Sequence, residues 1–110
     1  MNTVIENESG LTLCISEDKD GYIPIMGGDN SNPTWEEYMD QVADEYKPHF
    51  ELIKKGIEQL GWIGKTGEDI SNYYCFRFSD GNAWGFSWRA WGDLMQAIVN
   101  KKEGYMKYYM

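Results

Sequence analysis

The single histidine and the two cysteines are the residues of this sequence with the most versatile chemistry. A thiol paired with an imidazole is a nucleophile, and His49 with Cys14 or Cys75 would supply that pair. Each cysteine lies in an alternating apolar segment typical of a strand, and the spacing of the three residues matches no zinc site. We expect free thiols in structural roles, with no metal, no cofactor and no enzymatic activity. A small ligand-binding or catalytic pocket near His49 and Cys75 is the alternative.

Two short segments imitate ion-binding and phosphate-binding loops. Residues 18–21 resemble the middle of a calcium loop, but Gly27 stands where calcium needs a bidentate glutamate. Gly64-Lys65-Thr66 has the ending of a P-loop, yet Gln59 replaces its opening glycine and a helix pattern precedes it. We interpret the first as a hairpin turn and the second as an ordinary loop.

A predicted helix with an acidic face is a stronger candidate for a functional site. Five carboxylates fall within residues 36–45, namely Glu36, Glu37, Asp40, Asp44 and Glu45. The i, i+4 spacing of Glu36, Asp40 and Asp44 puts like charges on one face, which costs a helix roughly a few tenths of a kcal/mol per pair. We predict that these five residues bind a partner. A solvated face that only keeps the protein soluble is the alternative.

Charge is distributed unevenly along the chain. Residues 1–46 hold 11 Asp and Glu and one lysine (1 − 11 = −10), whereas residues 47–110 hold 7 acids and 9 Lys and Arg (9 − 7 = +2), which together give the net charge of −8. A one-sided negative field repels nucleic acid and attracts cationic protein surfaces. We therefore expect a basic protein partner and no direct binding of nucleic acid.

Size and composition indicate one globular domain over residues 1–110. The chain is 42% hydrophobic and has 17 aromatic residues, enough for a packed core. It has no apolar run of membrane-spanning length and no basic and apolar signal-peptide pattern after Met1. We expect a cytoplasmic protein that does not bind membranes.

Three strands and a long helix are predicted in the first 61 residues. Val4 and Ile5 form a brief strand, Leu11 to Ile15 alternate, and Pro24 restricts the third strand to a sheet edge. Thr34 and Glu37 have capping-box spacing at the start of the helix. Apolar residues then recur every three or four positions, at 35, 39, 42, 46, 50, 53, 57 and 60. Pro48 predicts a bend or break near Lys47, and Gly61 ends the helix.

A hairpin follows, and two registers compete for it. A two-residue turn at Asp80 and Gly81 would pair Phe76 with Gly85 and divide the aromatic side chains between both faces. A three-residue turn, with Gly81 left-handed, pairs Phe76 with Trp84. The second register gathers Tyr74, Phe76, Phe78, Trp84 and Phe86 on one face. We predict the second register, because a sheet with one buried face selects it.

The last predicted helix begins at a Ser87 cap. Its apolar stripe consists of Trp88, Trp91, Met95 and Ile98. Gly92 suggests close packing against a neighbouring element, and Arg89 can pair with Asp93 on the surface. The last six residues, from Tyr105 to Met110, are too apolar for a solvated tail, and we expect them to dock on the sheet or on a partner.

The element order βββ–α–ββ–α predicts an α+β domain. We expect an antiparallel sheet of about five strands, with one long kinked helix and a shorter C-terminal helix packed on it. The preferred function is a small binding or inhibitory protein. Phage-encoded inhibitors of restriction or CRISPR systems offer an analogy of charge and size, not of sequence. The alternative is an interaction module that forms homodimers through Tyr105 to Met110.

Overall fold

The computed structural model describes residues 3–7, 10–17, 22–25, 34–70 and 74–100, which form the α+β fold expected from the element order. The strands are β1 (Thr3–Glu6), β2 (Thr12–Ser16), β3 (Ile23–Ile25), β4 (Cys75–Phe78) and β5 (Ala83–Phe86). The helices are α1 (Trp35–Asp40), α2 (Lys47–Leu60), α3 (Gly67–Ile70) and α4 (Trp88–Val99), with a 3-10 turn at Asp44–Tyr46. Two long helices, α2 and α4, pack on one sheet face.

The sheet has five strands but is mixed, with the order β1-β2-β4-β5-β3. β3 pairs in parallel with β5, at the opposite edge from β1, whereas the other pairings are antiparallel. Both sides of β2 are occupied by β1 and β4, so β2 and β3 do not form the expected hairpin. Pro24 lies in an edge strand, as predicted. Tyr22 lies against Gly85, where any Cβ would collide with its ring, so this glycine lets the chain approach β5.

The β4–β5 hairpin has the predicted three-residue turn. Phe76 pairs with Trp84 and Arg77 with Ala83, and Gly81 has a φ of 99°. The buried side chains on the helix-covered face are Ile5, Leu13, Ile15, Phe76, Phe78, Trp84 and Phe86. The register therefore directs one continuous apolar surface toward the helices.

The expected long helix is interrupted earlier than its proline suggests. α1 ends at Asp40, and helical structure resumes with the 3-10 turn that precedes α2. Pro48 lies in the first turn of α2, where its missing N–H costs no hydrogen bond. Lys47 Nζ donates to the carbonyl oxygens of Met39 (2.6 Å) and Val42 (2.7 Å), so its ammonium binds the backbone where α1 ends.

Both predicted helix caps are confirmed. Thr34 and Glu37 form the capping box of α1, and Ser87 Oγ accepts from the N–H of Ala90 at 3.1 Å. Gly61 ends α2 in the left-handed conformation, with a φ of 69°. Polar side chains and one glycine therefore fix where these helices begin and end.

A glycine and a tryptophan determine how the two long helices meet the sheet. A Cβ on Gly56 of α2 would lie 3.0 Å from Cδ1 of Ile15, so this helix approaches β2 closely. In α4, Trp91 is fully buried against Phe76 and Phe86, and its Nε1–H donates to the carbonyl of Lys65 at 3.0 Å. Because the indole N–H has a hydrogen-bond acceptor, burying the Trp91 side chain leaves no unsatisfied donor in the core.

Three expectations for α4 are wrong. Of the predicted stripe, Trp91 and Met95 are fully buried and Ile98 is half-buried against the core, but Trp88 is 58% exposed, and Leu94 is buried in addition. A Cβ on Gly92 would meet no atom within 4 Å among the described residues, so no close neighbour requires this glycine. Asp93 is buried, and the described residues contain no ion pair between it and Arg89.

The expected docking of Tyr105 to Met110 lies outside the described residues, as do residues 18–21. Within the described part of the chain, no helix combines the length and the apolar character needed to cross a membrane.

The two helical glycines should respond to substitution in opposite directions. We expect Gly92→Ala to raise the free energy of unfolding by about 1 kcal/mol, because alanine favours the helix and its methyl group has room. Gly56→Val should lower it by about 1–3 kcal/mol, since the side chain would be forced into Ile15. Urea unfolding of both variants tests this. A destabilised Gly92→Ala would show that something else packs against this position.

Candidate functional site

The acidic surface consists of Glu36, Glu37 and Asp40 on α1 and of Asp44 and Glu45 on the following 3-10 turn. All five side chains are exposed. The i, i+4 column expected from Glu36 through Asp44 does not run along one helix, because α1 ends at Asp40. The negative charge is therefore divided between a helix of six residues and the turn that follows it.

Positive charge within the described chain does little to neutralise this surface. Lys47 lies 3.6 Å from the carboxylate of Asp44, whose side chain is 98% exposed, so the pair contributes little. The described residues place no cation within 4.0 Å of Glu36, Asp40 or Glu45.

The other two lysines of α2, Lys54 and Lys55, bind groups outside the acidic surface. Lys54 pairs with Glu58 at 3.1 Å, and Lys55 donates to the carbonyl oxygen of Glu6 at 2.9 Å. The carboxylate of Glu37 accepts from the N–H of Thr34 at 3.1 Å and from its hydroxyl at 2.9 Å, so it caps α1 while staying at the surface.

A groove of about 640 Å³ adjoins the acidic surface, and we call it the α1–α4 groove. It is lined by Thr34, Trp35, Glu36, Glu37, Lys54, Ile98 and Asn100, which come from the start of α1, the middle of α2 and the end of α4. Trp35 Nε1–H donates to Glu51 at 3.3 Å, and Lys54 Nζ lies 5.7 Å from the Trp35 ring centroid. The groove therefore combines apolar side chains with two exposed carboxylates and the ammonium group of Lys54. Its residues are scattered in the sequence, and no local motif indicated it.

Packing against α2 and α4 holds α1 and the acidic surface in place. Met39 is buried, and the Tyr38 ring lies beside those of Trp35 and Phe50, at centroid distances of 5.7 and 6.0 Å. Burial and the Asp93 carboxylate raise the pKa of the Tyr38 phenol, which therefore keeps its proton. Thus α1 contacts the core through its apolar face and leaves its carboxylates outside.

His49 forms a second polar arrangement with the β4–β5 turn. Its Nε2–H donates to Asp80 at 2.6 Å, and its ring is 5% exposed between Phe78 and Trp84, at centroid distances of 4.7 and 5.3 Å. Asn82 donates from its backbone to the other oxygen of Asp80 at 3.0 Å. No local pattern in the sequence pairs Asp80 with His49, because only the hairpin register brings the turn over α2.

Asp80 remains charged over a wide pH range. Desolvation acts to raise its pKa, but the hydrogen bond from the Asn82 N–H, together with the hydrogen bond and charge of His49, lowers it overall. The Nδ1 atom of His49 is buried and has no hydrogen-bond partner among the described residues. The arrangement therefore fastens the hairpin turn to α2.

The structure does not bring His49 and Cys75 together. Phe76 and Phe78 face the helices, so strand alternation directs Cys75 to the opposite sheet face. Cys14 and Cys75 form no disulfide among the described residues, and the first is half-buried and the second fully buried. Within the described ranges, no three His, Cys, Asp or Glu side chains are grouped to hold a metal ion.

The Asp80 carboxylate should make stability depend on pH. A lowered pKa means that the folded state binds fewer protons than the unfolded state below the ordinary value of 3.8. The stabilisation is therefore complete above about pH 5 and is lost as the pH falls through the lowered pKa. Urea unfolding should show Asp80→Asn less stable than the original protein at neutral pH, with a difference that shrinks toward about pH 2. Asp44→Asn, at an exposed position, controls for loss of one charge, and a pH-independent deficit in Asp80→Asn would contradict this role.

The acidic surface and the α1–α4 groove are thus accessible, whereas the His49 ring is buried beneath the exposed carboxylate of Asp80. Comparisons with protein-family models, with curated proteins and with solved structures find no match to this chain.

Proposed function

We propose that this chain is a small protein-binding or inhibitory protein whose acidic surface docks on a basic surface of a protein partner. The observation that carries this proposal is the exposure of all five carboxylates, three of which have no cation within 4.0 Å among the described residues. Like charges held close together on a short helix tend to destabilise it. A cationic partner would relieve that repulsion and gain complementary contacts.

Electrostatic steering is the physical consequence of such a surface. A negative patch on a chain of net charge −8 raises the rate of encounter with a positive patch, and salt screens the attraction over about 10 Å at 0.1 M. The same field repels phosphate backbones, so the proposal includes no direct contact with nucleic acid. The partner would instead be a protein with a basic groove, such as one that otherwise holds nucleic acid.

Phage-encoded inhibitors of restriction or CRISPR systems are the class of protein that this proposal resembles in charge and size. In that role the chain would act in the cytoplasm, as a nucleic-acid mimic without catalysis, cofactor or membrane contact. A pocket enzyme has less support, since His49 is buried and Cys75 lies on the other sheet face.

Capture of the partner from the native cell, followed by binding kinetics, tests the proposal. We expect Glu36→Gln/Asp40→Asn/Glu45→Gln to lower the association rate constant at low salt by about 10-fold or more, with little difference at high salt. The matched control is Glu6→Gln/Glu58→Gln/Glu68→Gln, which removes three carboxylates outside the acidic surface. Its association rate should change by less than about threefold.

Two results would contradict the proposal. One is an equal loss of association rate in both triple variants, which would show that only net charge matters. The other is binding of the original protein that is insensitive to salt. Competition by nucleic acid for the captured partner would indicate that the acidic surface occupies a nucleic-acid groove.

A further inference from the structure

The α1–α4 groove lies where the described chain ends. Asn100 follows the last residue of α4 and lines the groove, so the ten residues after it start at the groove wall. Their sequence is KKEGYMKYYM, with three lysines, one glutamate, three tyrosines and two methionines. Their side chains carry a balance of 3 − 1 = +2, opposite in sign to the acidic surface.

We propose that residues 101–110 bind in the α1–α4 groove of their own molecule. The two exposed carboxylates of the groove, Glu36 and Glu37, match the lysines in charge, and the groove's own lysine, Lys54, is already paired with Glu58. Trp35 and the half-buried Ile98 match the tyrosine and methionine side chains, which gain by leaving water. A volume of 640 Å³ lies within the range of binding pockets, about 300–1,000 Å³, and holds a few of these side chains, not all ten residues.

Tethering favours this occupant over any separate molecule. A segment attached at the groove wall has an effective concentration on the order of millimolar, so even weak contacts keep it bound. A ten-residue segment spans at most about 33–36 Å when extended, and its first residue needs no span to reach the groove. A second copy of the chain would have to exceed that effective concentration in order to replace it.

The inference goes beyond the proposed function and does not rest on it. If both hold, the segment covers Glu36 and Glu37 but leaves Asp40, Asp44 and Glu45, which do not line the groove. A basic partner would then compete with residues 101–110 for two of the five carboxylates. The segment would act as an intramolecular competitor, so that only a partner with enough affinity to displace it would reach Glu36 and Glu37.

Nuclear Overhauser contacts in the full chain test the inference directly. We expect contacts between the ring protons of the tyrosines at 105, 108 and 109 and the Ile98 methyl groups or the Trp35 indole. A mixture of isotope-labelled and unlabelled protein distinguishes the source of the segment. Contacts within one molecule support the proposal. Contacts only between labelled and unlabelled copies would assign the groove to a second copy and overturn it, and so would their absence from both samples.

Full-length variants distinguish the contribution of the lysine charges from that of the apolar side chains to binding of residues 101–110 in the groove. Lys101→Ser/Lys102→Ser/Lys107→Ser should shift the Trp35 indole N–H and Ile98 methyl resonances and leave those of Trp84 in place. Lys65→Ser, in the loop after α2, is the control and should leave the groove resonances unchanged. Unmoved groove resonances in the triple lysine variant would overturn the charge-based part of the proposal.

The triple lysine variant also allows binding of residues 101–110 in the groove to be tested separately from binding of a partner. Against the captured partner, the triple lysine variant should associate faster than the original protein, because the competitor is weakened. If no salt-sensitive partner is found, the proposed function fails while the nuclear Overhauser result still decides where residues 101–110 bind.

Discussion

Gly81 takes a left-handed backbone conformation in the turn between β4 and β5. This turn sets the strand register, and the register determines which side chains of both strands face the helices. A slip of one residue would turn the Trp84 side chain away from the helices and leave Phe76 without its cross-strand partner. The packing of α2 and α4 needs this single aromatic face, because Trp91 meets Phe76 and Phe86 there while His49 lies between Phe78 and Trp84. The hydrogen bond from His49 to Asp80 then holds the turn against α2.

The acidic surface also depends on the hairpin register, but indirectly, through the helices. Six residues are too few for a stable isolated helix, and the carboxylates of α1 repel one another. Helix α1 therefore relies on what surrounds it: the capping box at Thr34, the ammonium of Lys47 at its C-terminal carbonyls, and burial of Met39. Since Lys47 begins α2, and α2 is positioned by the hairpin, the presentation of negative charge is coupled to the core.

Features determined by neighbouring residues were predictable from the sequence. The capping box, the Ser87 cap, Gly61 and the hairpin register each depend on a few adjacent side chains, and each is confirmed. The parallel pairing of β3 was not predictable, because strand order depends on contacts distant in sequence. The sequence predicted the helix break near Lys47, because Pro48 is the strongest helix-breaking signal in this region. The break instead follows Asp40, and Pro48 fits into the first turn of α2. Of the candidate site, the five carboxylates and their exposure followed from the pattern, but the groove required the fold.

The two edges of the sheet differ in what they offer to another strand. β3 has only three residues, and one of them is Pro24, which lacks an amide hydrogen for a further ladder. β1, at the other edge, has four residues without proline, and its Val4 side chain is 58% exposed. Of the two described edges, β1 is therefore the better template for an added strand. Copies paired through their β1 edges would bury that edge and leave only the short, proline-containing β3 edge of each copy for a further strand.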